Sequence, residues 1–230
     1  MTQDSRRSPG ERPQAVVFDN DGLLLDTEEA WTRAERTLFA GLGREFTLEH
    51  KRILIGSSRA DAALKLEAIL ERPGRGGELI DELIELVMIE ALAGVEPRPG
   101  AIALLTRLRD AGIPLAVASN SERAFLERTL ASAGLLHGGP FRTIVSAQDI
   151  AKPKPAPDIY LEACRRLGAD PAASVALEDS PTGAAAAAAA GMFVIGVPYF
   201  PDSAIPGADL IAPSLAEPEV AAVFGLSAIA

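Results

Sequence analysis

Cysteine is almost absent: Cys164 is the one thiol in 230 residues. No intrachain disulfide can form, and a reducing, cytoplasmic setting is expected. Cys164 sits in an apolar-periodic stretch, residues 159–167, and neither histidine flanks it, so it reads as a buried helix residue and not a nucleophile. An excess of positive charge is missing too. The chain has 22 basic and 32 acidic residues, a net charge of −10. That balance argues against nucleic acid and against anionic membrane surfaces as partners. An unbroken membrane-length apolar run is also lacking. The longest uncharged stretch, residues 180–201, is interrupted by Pro181, Gly183, Gly191, Gly196 and Pro198. Its seven consecutive alanines fit a tight helix followed by a buried strand. Residues 1–13 are polar, contain Pro and Gly and have no apolar signal-peptide core, so they are expected to form a disordered tail.

What is present is a hydrophobic content of 48%, enough for a substantial core. Short apolar, β-branched runs at 15–18, 114–118, 143–146, 174–177 and 193–197 read as buried strands. Helix-like stretches lie between the later ones. Residues 100–110 present Ile102, Leu105 and Leu108 and end near Gly112. Residues 121–133 start with Ser121 as a possible N-cap and stop at Gly134. Residues 157–167 open on a proline and stop at Gly168, and Ser180-Pro181 starts the alanine helix that Gly191 closes. This alternation predicts an α/β fold with a Rossmann-like parallel sheet and helices on both faces. Residues 29–93 break the pattern. Leu64, Leu66, Ile69 and Leu70, then Leu79, Ile80, Leu83, Ile84, Leu86 and Val87, recur at helical spacing on either side of a Pro73–Gly77 loop. The expected organisation is therefore a core made of 14–28 and 94–230, with an all-helical cap at 29–93. A breaker-rich linker at 94–100 returns the chain to the core. Such an insertion would sit above the carboxyl end of the first strand, where open α/β sheets bind ligands.

Asp19-Asn20-Asp21-Gly22 follows the first strand. Side chains two apart on extended backbone point the same way, so Asp19 and Asp21 can converge on one ligand. Two close carboxylates need a cation between them or a proton on one. Read alone, Asp21-Gly22 is equally a turn. Three other strand ends carry polar groups: Ser119-Asn120-Ser121, the stretch from Lys152 to Asp158, and Glu178-Asp179-Ser180. In a parallel sheet these ends share one edge. Together they offer a carboxylate nucleophile, a second carboxylate for proton transfer, a hydroxyl and a lysine for oxyanions, and two carboxylates for a hard cation. That inventory suits phosphoryl transfer. Singly, each has a plainer reading: Ser119 near a helix cap, Lys152 and Lys154 as exposed lysines, Glu178-Asp179 as helix N-terminal charge.

Phe18-Asp19-Asn20-Asp21-Gly22-Leu23-Leu24-Leu25-Asp26-Thr27-Glu28 resembles the first motif of the haloacid dehalogenase superfamily. Ala118-Ser119-Asn120 resembles its second motif, Lys154-Pro155-Ala156-Pro157-Asp158 its third, and Leu177-Glu178-Asp179-Ser180-Pro181-Thr182-Gly183 its fourth. The motifs occur in order and span roughly residues 15–212. The helical insertion is similar to the cap of the subfamily containing β-phosphoglucomutase and sugar-phosphate phosphatases. The resemblance implies that Asp19 is the nucleophile and Asp21 the acid/base. Ser119 and Asn120 would meet phosphate with Lys154, for which Lys152 is the alternative. Mg²⁺ would be held by Asp19, the backbone carbonyl of Asp21, and Asp179, with Glu178 close by or ligating. Trp31, Arg33, Arg59 and the loop at 74–77 are the cap positions expected to meet substrate.

The implied function is a Mg²⁺-dependent phosphatase for a small phosphorylated metabolite, a sugar or polyol phosphate, in a monomer or weak dimer. A β-phosphoglucomutase-type mutase is the alternative. The sequence departs from that pattern where Trp31 replaces a histidine and Glu122 a lysine. A dehalogenase is disfavoured by Asp21, and a non-catalytic binding module would not need all four motifs.

Overall fold

The computed structural model describes residues 10–91 and 94–226. Its centre is a six-stranded sheet, all parallel. The strands are β1 (Val16–Phe18), β2 (Leu115–Ser119), β3 (Thr143–Ser146), β4 (Val175–Glu178), β5 (Phe193–Gly196) and β6 (Leu210–Ile211), in the order 3-2-1-4-5-6. The α/β expectation holds. The sequence reading missed β6, which is only two residues long and is followed closely by Pro213.

Both faces of the central strands are apolar, as a sheet covered on both sides requires. Val16 and Phe18, with Leu115, Val117, Val175 and Leu177, face one side. There they meet α5 (Ala101–Asp110), α6 (Arg123–Ser132) and α9 (Pro218–Val223). Val17, Ala116, Ala118 and Ala176 face α7 (Asp158–Leu167) and the alanine helix α8 (Pro181–Ala189) on the other. Ser180 caps α8 as expected, accepting from the Gly183 N–H at 3.1 Å. Ser121 does not cap α6: the helix starts at Arg123 after Glu122, without a side-chain cap, because the Ser121 hydroxyl is drawn to Asp21. On α5 the buried stripe is Leu104, Leu105 and Leu108, and Ile102 is exposed. Cys164 is buried on α7, and burial pushes its thiol up to about 11.

Residues 10–13 do not behave as a loose tail. The Gly10 N–H donates to the Val223 carbonyl and Arg12 donates to the Ala111 carbonyl, which fastens this end beneath the sheet. The rest of the expected tail lies outside the described residues.

Between β1 and β2 the chain forms α1 (Thr27–Gly41), α2 (Leu48–Leu54), α3 (Arg59–Leu70) and α4 (Gly76–Glu90). These helices share their own apolar cluster, with Leu38, Phe39, Leu66, Leu79 and Leu83 buried, which Phe125 of α6 joins from the core side. Leu64, expected on the buried stripe of α3, is exposed at 66%. The two connections run side by side. Asp26 N–H donates to the Glu96 carbonyl at 2.8 Å, and Arg98 N–H to the Leu24 carbonyl at 2.8 Å. No helix among the described residues is long and apolar enough to cross a membrane.

Candidate active site

β1 is the topological switch: β2 and β3 lie on one side of it, and β4, β5 and β6 on the other. Crevices at such points are where α/β sheets place ligands. Phe18 is level with Val117 of β2 and Leu177 of β4, so the three strand ends deliver Asp19, Ser119 and Glu178 to one spot. Strand parity then sorts their side chains. Asp19 continues the Val17 face and Glu178 the Ala176 face, the side that carries α7. Ser119 continues the opposite face, with Val117.

Lys154 enters from the loop before α7. Its Nζ lies 2.5 Å from Asp19 Oδ1, 2.6 Å from Glu178 Oε1 and 2.9 Å from the Ala118 carbonyl. Lys154 is buried and Lys152 is exposed, so Lys154 alone reaches the site. Tyr160 of α7 donates its hydroxyl to Glu178 from behind. Asp19, Glu178 and Asp179 each offer an oxygen within 4.8 Å of the others. Burial, with Glu178 and Asp21 nearby, pushes Asp19 well above the usual carboxylate range against the pull of Lys154. Burial, then Asp19 and Glu178, push Asp179 up in the same sense. Burial alone would lower the Lys154 ammonium, but Asp19 and Glu178 outweigh it and hold the lysine above its ordinary value. Three buried carboxylates against one ammonium leave an excess of negative charge, and all the donors are oxygen. That is the donor set of a hard divalent cation.

Asp21 is in a different setting. Its Oδ2 accepts from Ser119 Oγ at 2.7 Å and from Ser121 Oγ at 2.8 Å, and its Oδ1 accepts from Asn20 Nδ2 at 3.1 Å. Its carboxylate is not part of the Asp19, Glu178 and Asp179 cluster. Ser119 Oγ also accepts the Ser121 N–H at 2.9 Å. Asn120 lines the site's cleft, and its side chain is engaged by the Lys154 backbone. Its Oδ1 accepts the Lys154 N–H at 2.9 Å and its Nδ2 donates to the Lys154 carbonyl at 3.3 Å, so it holds the lysine loop in place.

Two glycines make room. At Gly22, with φ +84°, a Cβ would sit 2.3 Å from Asp179 Oδ2. At Gly183 it would sit 1.9 Å from Glu178 Oε1. Gly183→Ala must therefore displace Glu178 or α8. We expect a loss of about 1–3 kcal/mol in stability, read by thermal melting, together with reduced activity.

The site opens into a cleft of about 120 Å³ between the sheet edge and α1–α4. Trp31 and Arg59 line it, as expected; Arg33 and residues 74–77 do not. Arg33 instead pairs with Glu90 at 2.6 Å. Trp31 meets Phe125 edge-on at 5.8 Å. Arg59 is ion-paired to both Asp81 and Glu122. The sequence reading gave no individual site role to Ser121 or Tyr160, nor to Glu28, Lys51 and Glu35, which form a buried ion triad on the cleft wall.

Comparison with known proteins identifies the family. The haloacid dehalogenase-like hydrolase family model matches residues 13–191. The chain belongs to this family of hydrolases. It is 34% identical to hexitol phosphatase B of Escherichia coli over 188 residues, covering 80% of this chain and 83% of that one. It is 33% identical to the bifunctional riboflavin kinase/FMN phosphatase of Arabidopsis thaliana, covering 81% of this chain but 48% of the larger plant protein. The crystal structure of CbbY from Rhodobacter sphaeroides with phosphate superposes with a TM-score of 0.77 at 31% identity, over 89% of this chain and 96% of that one.

Proposed function

We propose that this protein is a Mg²⁺-dependent phosphomonoester hydrolase for a small sugar or polyol phosphate, working through an aspartyl-phosphate. The observation that carries this reading is the split between the paired carboxylates. Asp19 lies 2.5 Å from a buried ammonium in an acidic oxygen cluster. Asp21, two residues on, is held apart by two serine hydroxyls. One suits attack on phosphorus; the other suits proton transfer. Asp19, Asp179, the Asp21 carbonyl and Glu178 would hold Mg²⁺, which supplies Lewis-acid neutralisation of phosphoryl oxygens.

Asp19 Oδ attacks phosphorus, and the bond to the ester oxygen breaks. Lys154 balances the charge on the transferring group. Asp21 gives its proton to the departing alkoxide. It then takes a proton from the water that attacks phospho-Asp19, which releases phosphate, frees the Asp19 carboxylate and returns Asp21 to its protonated form for the next cycle. The helices α1–α4 act as a cap that excludes water during attack. Hydrolysis of p-nitrophenyl phosphate with Mg²⁺, abolished by EDTA and restored by added Mg²⁺, tests the reading. Turnover that persists in EDTA would contradict it.

The relatives favour the substrate class: hexitol phosphatase B is named for such an ester. A mutase cycle needs a second phosphate site. Here Arg59 is engaged by Asp81 and Glu122, and the resemblance noted in the sequence puts Trp31 where the mutases carry a histidine. We expect no conversion of β-glucose 1-phosphate to glucose 6-phosphate, even with a bisphosphate activator, in a coupled dehydrogenase assay. Efficient conversion would reverse the ranking.

A further inference from the structure

Glu28 and Glu35 are seven residues apart on α1 and so share a face. Both turn inward onto Lys51 of α2. Lys51 Nζ lies 2.5 Å from Glu28 Oε2 and 3.1 Å from Glu35 Oε2. All three side chains are nearly fully buried, although the neighbouring surface of α1–α4 is packed with leucine and valine. Buried ion groups of this kind are seldom worth their desolvation in stability, and apolar residues of similar volume often do as well. The place of the triad gives it another use. It lines the same cleft as Asp19, Asp21 and Lys154. Glu28 also abuts the cation cluster: a Cβ on Gly22 would lie 3.4 Å from Glu28 Cγ and 2.3 Å from Asp179 Oδ2.

We propose that Glu28, Lys51 and Glu35 are the specificity-determining residues that bind the hydroxyls of an uncharged polyol or sugar leaving group. The inference rests on the phosphatase reading and names the part of the cleft that selects among esters. Two carboxylates share one ammonium, so the triad has acceptor capacity to spare and takes O–H donors. Its ammonium is already matched, so it offers no free cation to a second phosphate or to a carboxylate. Trp31, on the same wall, gives the carbon skeleton an apolar surface. The ligand this fits is a neutral polyhydroxylated monophosphate, in preference to phosphoglycolate or a bisphosphate.

The test compares a hexitol phosphate with p-nitrophenyl phosphate, whose leaving group has no hydroxyl chain, in the parent, Lys51→Met, Glu35→Gln and Lys51→Arg. A hydrogen bond to a charged group is strong enough that its loss should lower the kcat/KM ratio of hexitol phosphate to p-nitrophenyl phosphate about tenfold or more. The change should lie mostly in KM, with partial recovery in Lys51→Arg. An equal fall on both esters together with lower thermal stability would make the triad merely structural and overturn the proposal. So would unchanged ratios in Lys51→Met and Glu35→Gln. If Lys51→Met does not fold, Glu35→Gln, nearly isosteric, decides alone. A parent enzyme that cleaves p-nitrophenyl phosphate but no polyol phosphate sinks this inference only. A parent that cleaves no ester at all sinks the phosphatase reading with it.

Discussion

Asp19→Asn should leave no measurable turnover on any phosphate ester. The amide cannot act as the nucleophile, and the cluster loses one of its three carboxylates. The same change should not unfold the protein. The Asp19 charge is disfavoured where it sits, because burial and the neighbouring Glu178 and Asp21 raise its proton affinity. Lys154 would keep Glu178 at 2.6 Å as its partner. Thermal melting of Asp19→Asn should therefore stay within a few degrees of the parent while activity vanishes. Residual turnover at the parent level would remove Asp19 from the chemistry. A melting point far below the parent would mean that the charge supports the fold.

Lys154→Met should cost on the order of 10²–10³ in kcat, the usual cost of removing one preorganised charge-stabilising donor. It differs from Asp19→Asn in two ways. The nucleophile survives, so some turnover should remain. The fold suffers more, because Asp19 and Glu178 are left buried without their shared cation. High Mg²⁺ should recover part of the melting temperature. Lys152→Met is the matched control: Lys152 is exposed, and its loss should leave kcat within a factor of about two, since surface substitutions away from a site are usually near neutral. A large loss with Lys152→Met and none with Lys154→Met would exchange their roles.

These effects were readable from the sequence to an uneven degree. Period-two patterning placed Asp19 and Asp21 at a strand end, and the βα alternation put four polar loops on one edge. Both inferences rest on backbone geometry, which local sequence encodes well. Cross-chain choices of side-chain partner are not local, and there the reading failed. Ser121 looked like a helix cap, because a serine before a helix usually is one; its hydroxyl instead completes the Asp21 cradle. Asn120 was placed near phosphate by its motif, and the motif gave no sign that its side chain also braces the lysine loop. Tyr160 lies on the buried stripe of α7, and only strand register reveals Glu178 in front of it. Nothing in the local pattern links Lys51 on α2 to Glu28 and Glu35 on α1, because the packing angle of those helices decides the contact. Glu178 itself shifted from an expected loop residue to the last residue of β4, which is why it is buried and held from two sides.

The most direct test of the aspartyl-phosphate mechanism is intact-protein mass spectrometry of Asp21→Asn mixed with p-nitrophenyl phosphate and Mg²⁺, then quenched in acid. p-Nitrophenolate leaves with little need of a proton, so attack by Asp19 should proceed. Hydrolysis of the intermediate should stall, because the group that deprotonates water is gone, and such groups contribute on the order of 10²–10⁴-fold. The mechanism predicts a mass gain of one phosphoryl group that peptide mapping places on Asp19. A phosphoryl group on any other residue, or its absence while Asp21→Asn still turns over the ester at the parent rate, would contradict it.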